Sequence, residues 1–78
     1  MKTTACFRYT RRRKDRAWIK TEWIEAALRA PAATEVQSDG RVRRWIWVEE
    51  AGKFLRVITL PDGETVHHAF FDRDFRGK

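Results

Sequence analysis

His67, Arg56 and Arg43 are the side chains of this chain best placed by type to do chemistry. A histidine titrates near neutral pH and can move a proton, while two guanidinium groups hold a phosphate by forked hydrogen bonds. Together they would suit phosphodiester cleavage without a metal. Trp45 and Trp47 stand beside them in sequence and offer flat surfaces for stacking on unpaired bases. The plainer account of His67 is a half-exposed strand histidine with no role. Its neighbour His68 would point to the opposite side of a strand, so the two would not share a substrate.

What brings these residues onto one surface is the pattern of the last two-thirds of the chain. Arg41 to Val48, Phe54 to Leu60 and Glu64 to Phe71 read as strands rich in β-branched and aromatic residues. Asp39-Gly40 and Asp62-Gly63 are hairpin turns, and a further turn falls near Glu50-Ala51-Gly52-Lys53. A short run, Thr34-Glu35-Val36-Gln37, precedes the first hairpin. Pairing Leu60 with Thr65 and Glu50 with Lys53 puts Ile58 opposite His67, Arg56 opposite Ala69 and Phe54 opposite Phe71. Val48 then joins Leu55, and Ile46 joins Val57. One face carries Val42, Ile46, Val48, Leu55, Val57, Val66 and Phe70, with His68 as a satisfied core histidine. The other carries Arg43, Trp45, Trp47, Phe54, Arg56, Ile58 and His67.

The aliphatic face needs a cover, and Thr21 to Ala30 supplies one. Trp23, Ala26, Ala27 and Ala30 recur at helical spacing, with Ile24 and Leu28 as a second row. Thr21 is the expected N-cap, Glu22 and Glu25 favour the positive end of the helix dipole, and Pro31 stops the helix. Thr3 to Tyr9 reads as a short extended segment that would join the sheet edge. Thr10 to Lys14 is a cationic run able to form a helical turn, and Arg13 and Arg16 within or beside it would add phosphate contacts. Asp72 to Lys78 reads as a polar tail, with Asp72-Arg73 and Asp74-Arg76 as local ion pairs. The expected architecture is α+β: a single domain with an N-terminal helical segment packed on one face of a three- to five-stranded antiparallel meander.

Composition bounds the function classes. Seventy-eight residues make one small domain, and 42% hydrophobic content is enough for one core without room for a deep cofactor pocket. The net charge of +6 and a pI near 10.3 favour an acidic partner, nucleic acid first and an acidic protein region second. Cys6 is the one cysteine and reads as a small buried hydrophobe; no Cys/His spacing suggests zinc, and no cofactor is expected. No stretch has transmembrane length and no signal peptide is apparent, which fits a reducing cytoplasm.

The order of Arg13, Arg16, Ile19, Glu22-Trp23-Ile24, Leu28 and Pro31, then Gly40-Arg41, Leu55-Arg56-Val57-Ile58, Asp62-Gly63 and Phe70-Phe71-Asp72-Arg73, resembles a family of short bacterial proteins grouped with the RelE/ParE and BrnT toxin-like folds. That resemblance implies a compact α+β fold. It also implies RNA or the ribosome as target, metal-independent ribonuclease activity in RelE-like members, action on gyrase in ParE-like members, and an antitoxin as partner. The family often has a histidine where this chain has Tyr9, and no complete toxin active site matches residue by residue. Read from the residues themselves, the Trp/Arg face has three accounts: a surface for nucleic acid, an interface with a protein or a second copy of the chain, or internal packing under the tail.

Overall fold

The computed structural model describes residues 2–10 and 19–75, without the side chains of Cys6 and Thr10. The expectations for Arg13, Arg16, Arg76, the cationic run beyond Thr10 and the Cys6 thiol lie outside the described residues. The order of elements is α1 (Ala5–Thr10), α2 (Thr21–Arg29), β1 (Ala33–Val36), β2 (Val42–Val48), β3 (Lys53–Thr59) and β4 (Val66–Asp72). The strands form one antiparallel meander in the order β1-β2-β3-β4. The α+β architecture, with helix packed on one face of the sheet, is the one the sequence predicts.

The α2 helix forms where alanine, leucine and glutamate dominate, with Glu22 in its first turn and Arg29 in its last. Its cap is Lys20, whose extended backbone accepts from the amides of Trp23 (3.1 Å) and Ile24 (3.4 Å), with no side-chain cap bond. Thr21 is therefore the first helical residue and not the cap. Ile24 and Ala27 are fully buried, with Trp23 and Leu28 packed beside them. Ala30, expected in the apolar row, is exposed because the helix ends before it. The amide of Ala30 closes the last turn on Ala26, and Pro31 follows.

The N-terminal segment departs from expectation. Only Thr3 is strand-like, making a single parallel bridge to Val66. Thr4 then caps α1: its Oγ1 accepts from the Phe7 amide at 3.0 Å, and its carbonyl accepts from the Arg8 amide at 3.1 Å. The residues from Ala5 onward turn helical and deliver Phe7 to the core.

Two turns show why Asp-Gly is so strong a signal. Gly40 and Gly63 have φ of 91° and 73°, where a side chain would be strained. Asp62 Oδ1 accepts from the amides of Glu64 and Thr65, both at 2.9 Å, and Oδ2 accepts from the Thr65 hydroxyl at 2.6 Å. The Thr65 hydroxyl, then the two amides, lower the Asp62 pKa to about 2.

Register decides which face each residue occupies. In β2–β3, Val48 pairs with Lys53, Ile46 with Leu55, Trp45 with Arg56 and Arg43 with Ile58. The expected pairing of Val48 with Leu55 is off by two positions, because the turn holds four residues, Glu49 to Gly52, and not two. A shift of two keeps side-chain parity. In β3–β4 the pairing starts as expected, with Thr59 opposite Val66, and then slips between Ile58 and Thr59. His67 is the extra residue of a β-bulge. Beyond it Ile58 faces His68, Val57 faces Ala69, Arg56 faces Phe70, Leu55 faces Phe71 and Phe54 faces Asp72. Phe70 and His68 are thus moved off the helix face, and Ala69 and Phe71 take their place.

The core lies between the helices and the sheet. Phe7, Ile19, Ile24 and Ala27 pack on Val48, Leu55, Val57, Val66 and Ala69, with Ile46 and Phe71 at the margin. Arg44 also projects from this side, where its Nη1 donates to the Gly63 carbonyl (3.1 Å) and to Thr59 Oγ1 (3.3 Å).

Candidate nucleic-acid interface

The face away from the helix carries Arg43, Trp45 and Trp47 from β2, Phe54, Arg56 and Ile58 from β3, and His68, Phe70 and Asp72 from β4. It places tryptophan and arginine on the side predicted for them. It is not bare. Trp45 is 5% exposed, and Ile58 on the same face is buried as well. Its indole lies parallel to the Phe75 ring, with centroids 4.5 Å apart and planes 9° apart. The segment after β4 is folded back over the sheet at least as far as Phe75, so the tail does not begin at Asp72.

Beneath that ring Asp72, 8% exposed, organises the site. Its Oδ2 accepts from Trp45 Nε1 at 3.0 Å, from Arg56 Nε at 3.0 Å and from Arg56 Nη2. Its Oδ1 accepts from the Asp74 amide at 3.0 Å. Burial pushes the Asp72 pKa up, but the bonds from Trp45, Arg56 and Asp74 and the Arg56 charge outweigh it and hold the carboxyl below its usual range. The Arg56 guanidinium sits between the Phe70 ring (4.9 Å) and the Trp45 ring (5.6 Å). Arg56 is therefore a structural cation, paired across the sheet with Asp72. The expected local pair of Asp72 with Arg73 is replaced by this one.

Arg43 is also engaged, its Nη1 donating to Glu35 Oε1 of β1 at 3.0 Å. His67 does not join Arg56. Its Nδ1 lies 3.1 Å from Thr4 Oγ1, in the bulge beyond His68, whereas Arg56 stands opposite Phe70. The residue in line with Arg43 across Ile58 is His68. The two imidazoles, expected on opposite faces, meet edge to face at 4.4 Å because the bulge breaks the alternation. The constellation of Arg43, Arg56 and His67 around one phosphate is thus not assembled.

Trp47 is the most exposed of the predicted residues that are described. Its side of the sheet end is open, and it is 47% exposed. Its Nε1 donates to Glu49 Oε2, which fixes the ring, and Phe54 meets it edge to face at 5.1 Å. Among the described residues no ring lies parallel to it. A groove of about 280 Å³ runs beside it between Phe54, Lys53, Arg73 and Phe75. Arg73 and Lys53 have no carboxylate partner among the described residues; the Lys53 ammonium lies 5.9 Å from the Phe71 ring on a flexible stem. Neither residue stood out in sequence, because the pattern puts Lys53 in a turn, where the structure starts β3, and Arg73 beyond the last strand. A second groove of about 270 Å³ lies on the other side of Phe75, between Arg43, Arg56, Glu35 and Asp74.

Another concavity, about 390 Å³, lies between α2 and the Asp62-Gly63 turn. It carries mixed charge, with Lys2 and Glu64 paired at 3.6 Å, and no aromatic ring lines it. Among the described residues no three His, Cys, Asp or Glu side chains group to hold a metal ion, and no helix is long and apolar enough to cross a membrane. No family model, curated protein or solved structure matches this chain.

Proposed function

We propose that this protein is a non-catalytic binding module for single-stranded RNA, which docks at the Trp47 end of the outer sheet face. The observation that carries the reading is an exposed, hydrogen-bonded tryptophan in a chain of net charge +6, beside a groove edged by Arg73, a cation without a carboxylate partner among the described residues. A base stacked on Trp47 would contribute about 1–3 kcal/mol, and Arg73 would meet a flanking phosphate. Catalysis has less support, since Arg56 is neutralised by Asp72 and His67 is bonded to Thr4.

Titration with octauridylate at low ionic strength, followed by tryptophan fluorescence, tests the reading. Expected are binding that weakens steeply with salt, loss of affinity in Trp47→Ala, and no cleavage of the RNA. Undetectable or salt-insensitive binding overturns it. A second reading, a protein-interaction module, has one observation in its favour: β1 is an open sheet edge and its Val36 is 66% exposed. Sedimentation showing a concentration-dependent dimer that Val36→Lys abolishes would favour that reading.

A further inference from the structure

The Trp45 indole is flat, fixed by Asp72, and already covered by a ring in the parallel geometry that a nucleobase adopts on tryptophan. That ring, Phe75, is also the shared wall of the two grooves on this face, so its departure would merge them into one trough. Asp74, the residue before it, is exposed and lines the groove that holds Arg43 and Arg56. An aromatic ring on an indole, joined to a carboxylate in a groove where Arg43 and Arg56 stand with their partners Glu35 and Asp72, has the layout of a base joined to a phosphate.

We propose that Trp45 is a second base-stacking position, occupied in the free protein by Asp74-Phe75 acting as an intramolecular stand-in for one nucleotide of single-stranded RNA. This rests on the RNA reading of the Trp47 site and extends it by one base. Among the described residues the segment after β4 is held by little: the Asp74 amide on Asp72 Oδ1 at 3.0 Å, and the contacts of the Phe75 ring with Trp45 and with Phe54 at 4.8 Å. The platform does not depend on it, because Trp45 Nε1 and Arg56 are anchored on the other oxygen of Asp72. When the segment swings out, the Asp74 carboxylate leaves the groove with it. A phosphate arriving beside Arg43 and Arg56 then meets one negative charge fewer. Binding of a longer strand would thus compete with the chain's own ring, and occupancy of the Trp47 site would favour release by raising the local concentration of the neighbouring base.

The test uses the whole chain and octauridylate. In the free protein the Phe75 ring should give strong proton NOEs to the Trp45 indole, and these should vanish at saturation. Phe75→Ala should bind octauridylate at least about fivefold more tightly than the wild type, since one stacked base is gained without displacing a ring. Phe75→Leu, which keeps an apolar cover but no stacking ring, guards against misfolding of the alanine variant and should also bind more tightly. If the NOEs persist at saturation, and folded Phe75 variants bind no better than wild type while Trp47→Ala still loses affinity, the second position is refuted and the Trp47 reading stands. If neither the wild type nor any Phe75 variant binds at low salt, both fall together.

Discussion

Trp45 and Trp47 are two residues apart on one strand and point to the same side of the sheet, yet one is sealed and the other open. Trp45 looks across at Arg56, whose charge is matched by Asp72, and Phe75 closes the space above it. Trp47 looks across at Phe54 near the turn, where no ring lies parallel above it among the described residues. Strand parity therefore assigns a side chain to a face, but what covers that face is decided by chain from elsewhere. The buried indole is a keystone of the outer cluster, and the open one is available to a ligand.

The contrast is sharpest in stability. Trp45→Ala should lower unfolding free energy by about 3–5 kcal/mol, the cost of emptying a large aromatic site, while Trp47→Ala should cost less than about 1 kcal/mol. Urea denaturation of both variants measures the gap; equal losses would break the distinction. The next largest effect is expected at the carboxylate beneath Trp45. Asp72→Ala leaves the indole N–H without its acceptor and Arg56 without its counter-charge, at about 2–3 kcal/mol. That is less than for a fully buried pair, because Arg56 keeps contact with water. Under the same denaturation assay, Trp47→Ala in this background should depart from additivity, since Phe54 is the cross-strand partner of both Trp47 and Asp72.

Acid should separate the two ends as well. The folded pKa of Asp72 lies below its unfolded value of about 3.9, so between the two the unfolded chain binds more protons. Its stabilisation is fully present above that window and is lost as pH falls through the folded pKa. Asp62, lowered to about 2, acts in the same direction. Protonation should therefore loosen the Trp45 cluster first, which quenching of tryptophan by acrylamide across pH 5 to 2 would show as a rise in accessibility (roughly the range over which linked carboxylates titrate). Asp72→Asn should flatten that profile. The smallest effect is on ligand binding: Arg73→Ala should reduce the slope of log affinity against log salt by about 0.7, as expected for one phosphate contact on a single strand. An unchanged slope would remove Arg73 from the interface.

Those features written locally were legible in the sequence. The Thr21–Arg29 helix, its stop at Pro31 and the two Asp-Gly turns follow from composition and periodicity over a few residues. The assignment of Trp45, Trp47, Arg43 and Arg56 to the side away from the helix follows from alternation. What escaped was set by distant partners. No glycine marks the bulge at His67, so the slip that moved Phe70, Phe71 and Asp72 between faces left no sign in the local pattern. Asp72 beside Arg73 suggested a neighbourly ion pair, and only the sheet brings Arg56 to it. Phe75 read as part of a polar tail because its stacking partner lies thirty positions back in the chain. The helical turn of Ala5–Thr10 was hidden because its cap, Thr4, sits among residues with strand preference.

The unpaired histidine in β4 deserves a last reckoning. An insertion of one residue acts as a phase shifter: everything downstream trades sides. Were His67 instead paired with Ile58 and the ladder zipped straight, the Asp72 carboxylate would swing to the helix side and Phe71 would be thrust outward. A single surplus amino acid thereby determines whether the last strand delivers a charge to the place where an indole and a guanidinium await it.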